Sequence, residues 1–185
     1  MHVYPYLEKK GFAIVSCQGP LARRVYVAPE ARKVNVAYIT GVGHGSDDTY
    51  TGDYHDPVFV VGHYDQQESE RKIIHLLSCR TALLLGPDLV THGCRAYFGY
   101  DEDFTFVTAE AAIFFACDSE IDRAFADGLT AAQTYDRVFK LYTSRIAELR
   151  AAGKLYSAAI LELDRDHLRA PASGTQWGDA KAKLD

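Results

Sequence analysis

Residues 73–79 read Ile-Ile-His-Leu-Leu-Ser-Cys, a nearly continuous apolar run that ends on Cys79. A short run of this kind is typical of a strand that is buried on both faces of a parallel sheet. A second apolar run, Val34–Ile39, leads into the motif Gly43-His44-Gly45. The carboxyl ends of parallel strands meet at one crevice of an open α/β sheet, so we expect the thiol of Cys79 and the imidazole of His44 to lie there together.

The rest of the chain alternates between strand-like and helix-like segments. Further strands are predicted at Phe12–Cys17, Val58–Val61, Cys94–Tyr100 and Ser157–Leu163. Helices are predicted within Leu21–Lys33 and Thr81–His92, from Ala109 to Gly128, and from the capping box of Thr130 and Gln133 to Gly153. Strands joined by helical connections predict an α/β fold with a mostly parallel central sheet that is covered on both faces.

The composition is typical of one globular domain. Of the 185 residues, 48% are hydrophobic and 24% are charged. We predict a single domain over residues 1–185, with a core at about 12–170 and a polar C-terminal tail at 171–185 that carries Trp177. The net charge of −5 argues against binding to nucleic acid or to an anionic membrane, because both favour a basic surface.

The cysteines and the chain ends bear on the compartment. The four cysteines form no Cys-x-x-Cys pair, and we expect free thiols at Cys17, Cys79, Cys94 and Cys117. Neither a secretory signal nor an apolar run of membrane-spanning length is recognisable. These features favour a reducing cytoplasm, and no cofactor is expected.

Cys79 and His44 are suited to nucleophilic catalysis. A thiol must ionise before it attacks a carbonyl, and a nearby imidazole can take its proton and return it to a leaving amine. Gly45 has no side chain, so its backbone N–H can approach the oxyanion of a tetrahedral intermediate, with the Cys79 amide as a second donor. The alternative is that Cys79 is a small buried hydrophobe, as is expected of Cys94 and Cys117.

The same residues carry a resemblance to a known family. The segments 38–45 and 74–82, followed by 86–90 and 93–100, resemble the caspase-type cysteine peptidases, the clan of caspases, gingipains, clostripain and separase. The similarity is closest to the bacterial gingipain-like branch and covers roughly residues 12–100. It implies a caspase-like three-layer α/β/α sandwich that cleaves a peptide or protein substrate. It also implies that Cys79 is the nucleophile, His44 the general acid/base and the Gly45 amide the oxyanion donor.

Substrate specificity is open in the sequence. In this clan a charged residue just beyond the first strand often forms the primary pocket, whereas this chain has the uncharged segment 16–18, ending in Gln18. Acidic residues that could bind a substrate arginine or lysine instead are Asp47 and Asp48 beyond the histidine motif, and Asp101 and Asp103 beyond the strand after the cysteine. Their alternative role is that of solvated loop carboxylates. Arg23 and Arg24 indicate an acidic substrate with less support.

Other functions stay open as well. His44, Asp47, Asp48, His55 and His63 fall in one stretch, but their spacing places no two ligands on one helical face, so no metal site is predicted. The first alternative to a peptidase is a catalytically silent caspase-like module for interaction or assembly. The second is an α/β domain with a redox-sensitive thiol. A homo-oligomer formed through a sheet edge or the tyrosine-rich helix is also compatible with the sequence.

Overall fold

The computed structural model describes residues 3–184, which form seven strands and seven α-helices. The strands are β1 (Tyr38–Val42), β2 (His44–Gly45), β3 (Thr49–Thr51), β4 (Pro57–Val60), β5 (Ile73–Leu77), β6 (Ala96–Tyr100) and β7 (Leu168–Arg169). The helices are α1 (Tyr4–Lys9), α2 (Arg24–Ala31), α3 (Leu85–Thr91), α4 (Ala111–Asp118), α5 (Glu120–Ala126), α6 (Ala131–Ala151) and α7 (Leu155–His167).

The central sheet has four strands in the order β1-β5-β6-β7. The first three are parallel, and β7 adds a short antiparallel edge. A smaller antiparallel sheet of β2, β3 and β4 follows β1 directly in the chain. The α/β class and the mostly parallel central sheet are therefore as predicted. The predicted strand Val58–Val61 forms as β4, which belongs to the small sheet and not to the central one.

Both faces of the central sheet are covered. Successive side chains of a strand point to opposite faces, so Ile73 and Leu77 of β5 pack with helices α4 to α7. Ile74 and Leu76 point the other way and pack with α3 and the small sheet. All five residues of β5 are buried, which explains why its sequence is a continuous apolar run.

The strongest local signals of the sequence are confirmed. The predicted fifth strand, Cys94–Tyr100, forms as β6, and the predicted helix within Thr81–His92 forms as α3. At the start of α6 the backbone N–H of Gln133 donates to the Thr130 hydroxyl oxygen. In return, the backbone N–H of Thr130 donates to the side-chain oxygen of Gln133. Gly128 and Gly153 follow helices with left-handed φ values of +80° and +72°, which glycine adopts without strain.

Of two strands predicted in the N-terminal part, one does not form and the other has different bounds. Phe12–Cys17 forms no strand, and its alternate residues Phe12 and Ile14 instead pack beside α1. The run has no neighbouring strand to supply hydrogen bonds, so it crosses the surface with Val15 59% exposed. The second predicted strand, Val34–Ile39, begins only at Tyr38, because Val34 is fully exposed. The connection between them does form a short helix, α2.

Two predictions in the C-terminal half are also corrected. Ser157–Leu163 lies inside helix α7, whose buried residues Ser157, Ala158, Leu161 and Asp164 have helical spacing. The single helix predicted for Ala109–Gly128 is two helices, α4 and α5, that meet at Ser119. Both errors concern apolar segments whose pattern fits more than one element.

The segment after β7 is packed against the domain as far as residue 184. Trp177 is 8% exposed, and its indole N–H donates to the backbone carbonyl of Ala82 at 2.9 Å. Ala182 and Leu184 are buried in the cluster of helices α4 to α7. These residues therefore support the loop that follows Cys79 as well as the helical layer.

Candidate functional site

The ends of β1 and β5 bring the two sequence motifs together. The strands pair in parallel with Val42 opposite Leu77, and the Gly43 amide donates to the Leu77 carbonyl at 3.2 Å. Two residues further on, a Cβ added at Gly45 would lie 2.4 Å from the backbone oxygen of Cys79. Gly45 therefore packs directly against Cys79, and this contact requires a residue without a side chain.

The turn that carries Cys79 is held rigidly. Arg80 has a left-handed φ of +60°, an unusual conformation for a residue with a side chain. The hydroxyls of Ser78 and Thr81 are 2.9 Å apart, and Tyr97 donates to Thr81 at 2.7 Å. Non-glycine residues in this conformation persist where the surrounding structure holds them, and they cluster at functional sites.

The thiol of Cys79 is half-buried beside the loop after β6. Burial raises the pKa of this thiol, a hydrogen bond from the Phe104 backbone N–H lowers it, and the Asp103 carboxylate raises it through its charge and a hydrogen bond. The net pKa is above the ordinary value. In this arrangement the thiol is protonated at neutral pH, and a base is needed to generate the thiolate.

His44 lies on the exposed side of the same edge, in the two-residue strand β2. Its ring stacks on the ring of His55, with centroids 4.7 Å apart and planes at 28°. The sequence offers no obvious residue to orient His44, and it draws attention to His55 only as one of several candidate metal ligands, for which no site is predicted. The stacking depends on the pairing of β2 with β3, which brings the following loop back over His44.

The first pair of predicted substrate-binding carboxylates has partners within the protein. Asp47 forms an ion pair with Arg80 at 2.8 Å. Asp48 accepts hydrogen bonds from the hydroxyls of Ser46 and Thr49, which lower the pKa of its carboxyl. Both residues lie next to the Cys79 turn, because the Asp47 carbonyl accepts from the amides of residues 84 and 85.

The second pair of predicted carboxylates is divided between two roles. Asp101 binds His167 at 2.8 Å and Arg169 at 2.5 Å, so its charge is already paired. Asp103 lies at the Cys79 thiol. Of the four acidic candidates, Asp103 is therefore the one whose carboxylate raises the pKa of the Cys79 thiol.

The remaining candidates also have partners within the protein. The Gln18 side-chain amide donates to the Tyr4 hydroxyl at 2.8 Å on the surface. Arg23 pairs with Asp53 at 3.0 Å, and Arg24 pairs with the buried Glu68 at 2.9 Å. The two arginines thus have carboxylate partners in the protein.

Asp164, which the sequence patterns did not indicate, is a buried carboxyl behind the loop that contacts Cys79. Its side chain belongs to α7 and is 1% exposed. Oδ1 accepts a hydrogen bond from the Thr105 amide at 3.1 Å, whereas buried Oδ2 has no partner in the described chain. Burial raises the pKa of Asp164 to about 8, so the acid is largely protonated at neutral pH and holds the loop as a neutral group.

The sequence patterns also did not indicate a buried network of charged residues between the central sheet and helices α4 and α5. His75 of β5 lies 3.1 Å from Asp118 and 2.9 Å from Asp122, through its two ring nitrogens. Burial lowers the pKa of the imidazole, but the two carboxylates outweigh burial and raise it to about 10. Tyr38 and Tyr100 each donate to one of these carboxylates. The arrangement joins β5 to α4 and α5.

The four cysteines are free, as predicted. Cys94 and Cys117 are buried in the core, where burial raises the pKa of each thiol to about 12. Cys17 is half-buried and its pKa is also raised by burial. Cys79 differs from all three in its position at a strand end beside the His-Gly motif.

Residues 3–184 contain neither a cluster of candidate metal ligands nor a helix of membrane-spanning character. Within that range, no group of three or more His, Cys, Asp or Glu side chains could hold a metal ion. Over the same residues, every helix is too short or too polar to cross a bilayer.

Comparison with known proteins gave no matching family model, no similar curated protein and no similar solved structure.

Proposed function

We propose that this protein is a caspase-like cysteine peptidase, with an α/β/α sandwich fold, in which Cys79 is the nucleophile and His44 the general acid/base. The observation that carries the proposal is the contact of Gly45 with the backbone of Cys79 at the ends of adjacent parallel strands. That contact brings an imidazole-bearing segment, a thiol and glycine backbone to one sheet edge. The left-handed Arg80 turn supports a functional role for the same place.

The reaction follows from these groups. His44 takes the proton of the Cys79 thiol, and the thiolate attacks the carbonyl carbon of the scissile peptide. The backbone N–H groups of Gly45 and Cys79 stabilise the resulting oxyanion. When the carbon–nitrogen bond breaks, His44 gives its proton to the leaving amine, and a thioester remains on Cys79. His44 then takes a proton from water, which hydrolyses the thioester and releases the thiolate.

We propose cleavage after a basic residue, with Asp103 as the group that contacts it. The Asp103 carboxylate lies at the thiol, whereas Asp47 and Asp101 are paired with arginines. A substrate cation bound by Asp103 would also neutralise the negative charge of this carboxylate beside the thiol. Because the charge raises the pKa of Cys79, its neutralisation would favour the reactive thiolate.

The protein is a candidate for a reducing compartment such as the cytoplasm. All four cysteines are free thiols, and a reactive Cys79 requires that state. Peptides or proteins are the proposed partners.

Covalent labelling tests the proposal. The whole chain of residues 1–185 is incubated with an arginine-directed and an aspartate-directed acyloxymethyl ketone, and the adduct is located by mass spectrometry. We expect the arginine-directed reagent to modify Cys79. The variant His44→Ala should react about 10²–10⁴-fold more slowly, because it lacks the base, while His63→Ala, which changes an exposed histidine, should react like the wild type.

The same experiment has results that count against the peptidase. Modification at Cys17 instead of Cys79, or no modification of either, would contradict it. Asp103→Asn tests the substrate preference separately, because it should slow the arginine-directed reagent and spare a reagent with an uncharged side chain.

Two observations favour the catalytically silent caspase-like module as a second candidate. In the free protein Cys79 is protonated beside Asp103, and the His44 ring stacks on His55. This is an unactivated arrangement. Failure of every acyloxymethyl ketone to label Cys79, in protein that iodoacetamide alkylates at that residue, would support the silent module.

A further inference from the structure

A surface cavity of about 460 Å³ lies beside His44. It is formed where the segment 19–22 meets the end of β1 and the loop between β3 and β4. Residues that contribute to its wall include Val42, Gly43, His44, Asp53, Tyr54 and His55. Cys79 is not part of this wall, so the cavity adjoins the proposed acid/base and not the nucleophile.

The wall presents aromatic and apolar surface to solvent. Tyr54 is 84% exposed and Val42 is 73% exposed, although both are large side chains. Together, the stacked rings of His44 and His55 add further aromatic surface to the wall. The one carboxylate in the wall, Asp53, is neutralised by Arg23, whose guanidinium also lies 5.1 Å from the Tyr54 ring. An aromatic side chain therefore matches this wall better than a charged one.

The loop that carries Tyr54 and His55 is built in an unfavourable conformation. Both residues have left-handed φ values, +52° and +58°, which cost about 1–3 kcal/mol each for residues other than glycine. The loop is fastened at its base, where the Asp53 amide donates to the Ala22 carbonyl at 2.7 Å. A Cβ on Gly52 would lie 1.8 Å from that same carbonyl, so this approach requires glycine. The backbone that carries the Tyr54 and His55 rings is thus anchored at the base of the loop.

We infer that this cavity binds the side chain of the residue that follows the scissile bond, and that it selects an aromatic residue there. The inference rests on the proposed function. The group that protonates the leaving amine must lie on the side of the substrate that departs, and His44 is that group. The residue that carries the leaving amine therefore passes along the face of His44 where the cavity opens.

Product-like peptide amides test this inference without requiring turnover. Phenylalanyl-glycinamide and glycyl-glycinamide both have the free amine that cleavage creates, and they differ only in the first side chain. Each is titrated into the Cys79→Ala variant of the whole chain, and binding is followed by NMR through the ring protons of His44 and His55. We expect the phenylalanyl compound to bind about tenfold more tightly.

Two tyrosine variants distinguish binding in the cavity from non-specific binding to exposed aromatic side chains. Tyr54→Ala should reduce binding of the phenylalanyl compound about tenfold and leave the glycyl compound unchanged. Tyr26→Ala removes another exposed tyrosine, 49% exposed on α2 and outside the cavity wall, and should change neither. Equal binding of the two amides, or equal effects of the two variants, would overturn the inference.

The result can be distinguished from failure of the peptidase itself. Selective binding of the phenylalanyl compound by Cys79→Ala, with no labelling of Cys79 in the wild type, supports the aromatic cavity and overturns its role as a peptidase subsite. Labelling of Cys79 without selective binding overturns the inference and leaves the peptidase standing.

Discussion

Replacing His75 with leucine should destabilise the fold strongly at neutral pH. His75 is 1% exposed and lies between the carboxylates of Asp118 and Asp122, each of which is 5% exposed. Leucine is of similar size but leaves these two buried carboxylates without a cation. Removing one partner of a buried ion pair costs about 3–5 kcal/mol, because the remaining charge is uncompensated. We expect His75→Leu to lower the free energy of unfolding by this amount.

The cost should depend on pH in a defined direction. The pKa of His75 is about 10 in the folded protein against an ordinary value of 6.5, so the folded state binds its proton more tightly. Such a group makes its full contribution to the free energy of unfolding when the pH is below its pKa in the unfolded chain. The contribution is lost as the pH rises through its pKa in the folded protein. The difference in pKa corresponds to about 5 kcal/mol at most. The difference in the free energy of unfolding between wild type and His75→Leu should therefore become smaller between about pH 7 and about pH 10.

Urea denaturation monitored by circular dichroism measures both effects. The comparison is always between two proteins at one pH, so groups that do not contact His75 cancel. His63→Leu is the control, because His63 is exposed and its replacement should change stability by less than about 0.5 kcal/mol. A cost below about 1 kcal/mol for His75→Leu at neutral pH, or a gap that stays constant up to pH 10, would refute the charged network.

Three further measurements test other parts of the structure. Gly45→Ala should lower the free energy of unfolding by about 1–3 kcal/mol in urea, because its Cβ would collide with the Cys79 carbonyl; unchanged stability would contradict that contact. Trp177→Phe should cost about 1–3 kcal/mol, since the buried carbonyl of Ala82 loses its donor, and a smaller cost would show that the segment is not docked there. Asp164, whose pKa is raised from 3.8 to about 8, makes stability fall as pH rises through this window, so Asp164→Asn should stabilise the protein more at pH 8 than at pH 4. An equal effect at both pH values would show that Asp164 is ionised in the folded protein.

Local sequence patterns predicted the centre of the fold well. The β5 segment is buried on both faces, and this condition selects a continuous apolar run that is visible without any knowledge of its neighbours. The start of α6 was equally recognisable, because the bonds between Thr130 and Gln133 form within four residues. Signals of this kind succeed when the interaction that creates them is short-range.

The wrong predictions arose where a pattern has more than one physical solution. Phe12–Cys17 is as apolar as a strand, but it would need a neighbouring strand to pair with, and the chain provides none there. Ser157–Leu163 is compatible with a strand or with a helix until one knows that α6 and the sheet cover one side of it. In both cases the choice depends on residues far away in the chain.

The candidate site divides in the same way. The residue types and their order along the chain already indicate a thiol, an imidazole and a glycine at neighbouring strand ends, because this follows from two apolar runs and the geometry of parallel sheets. The surroundings of those groups depend on contacts between distant residues. Asp101 is paired with Arg169, the buried Asp164 holds the loop that contacts Cys79, and His44 is stacked on His55. Such charge and ring contacts are chosen by the folded chain as a whole, since each requires loops that bring together residues with no local relation in the sequence.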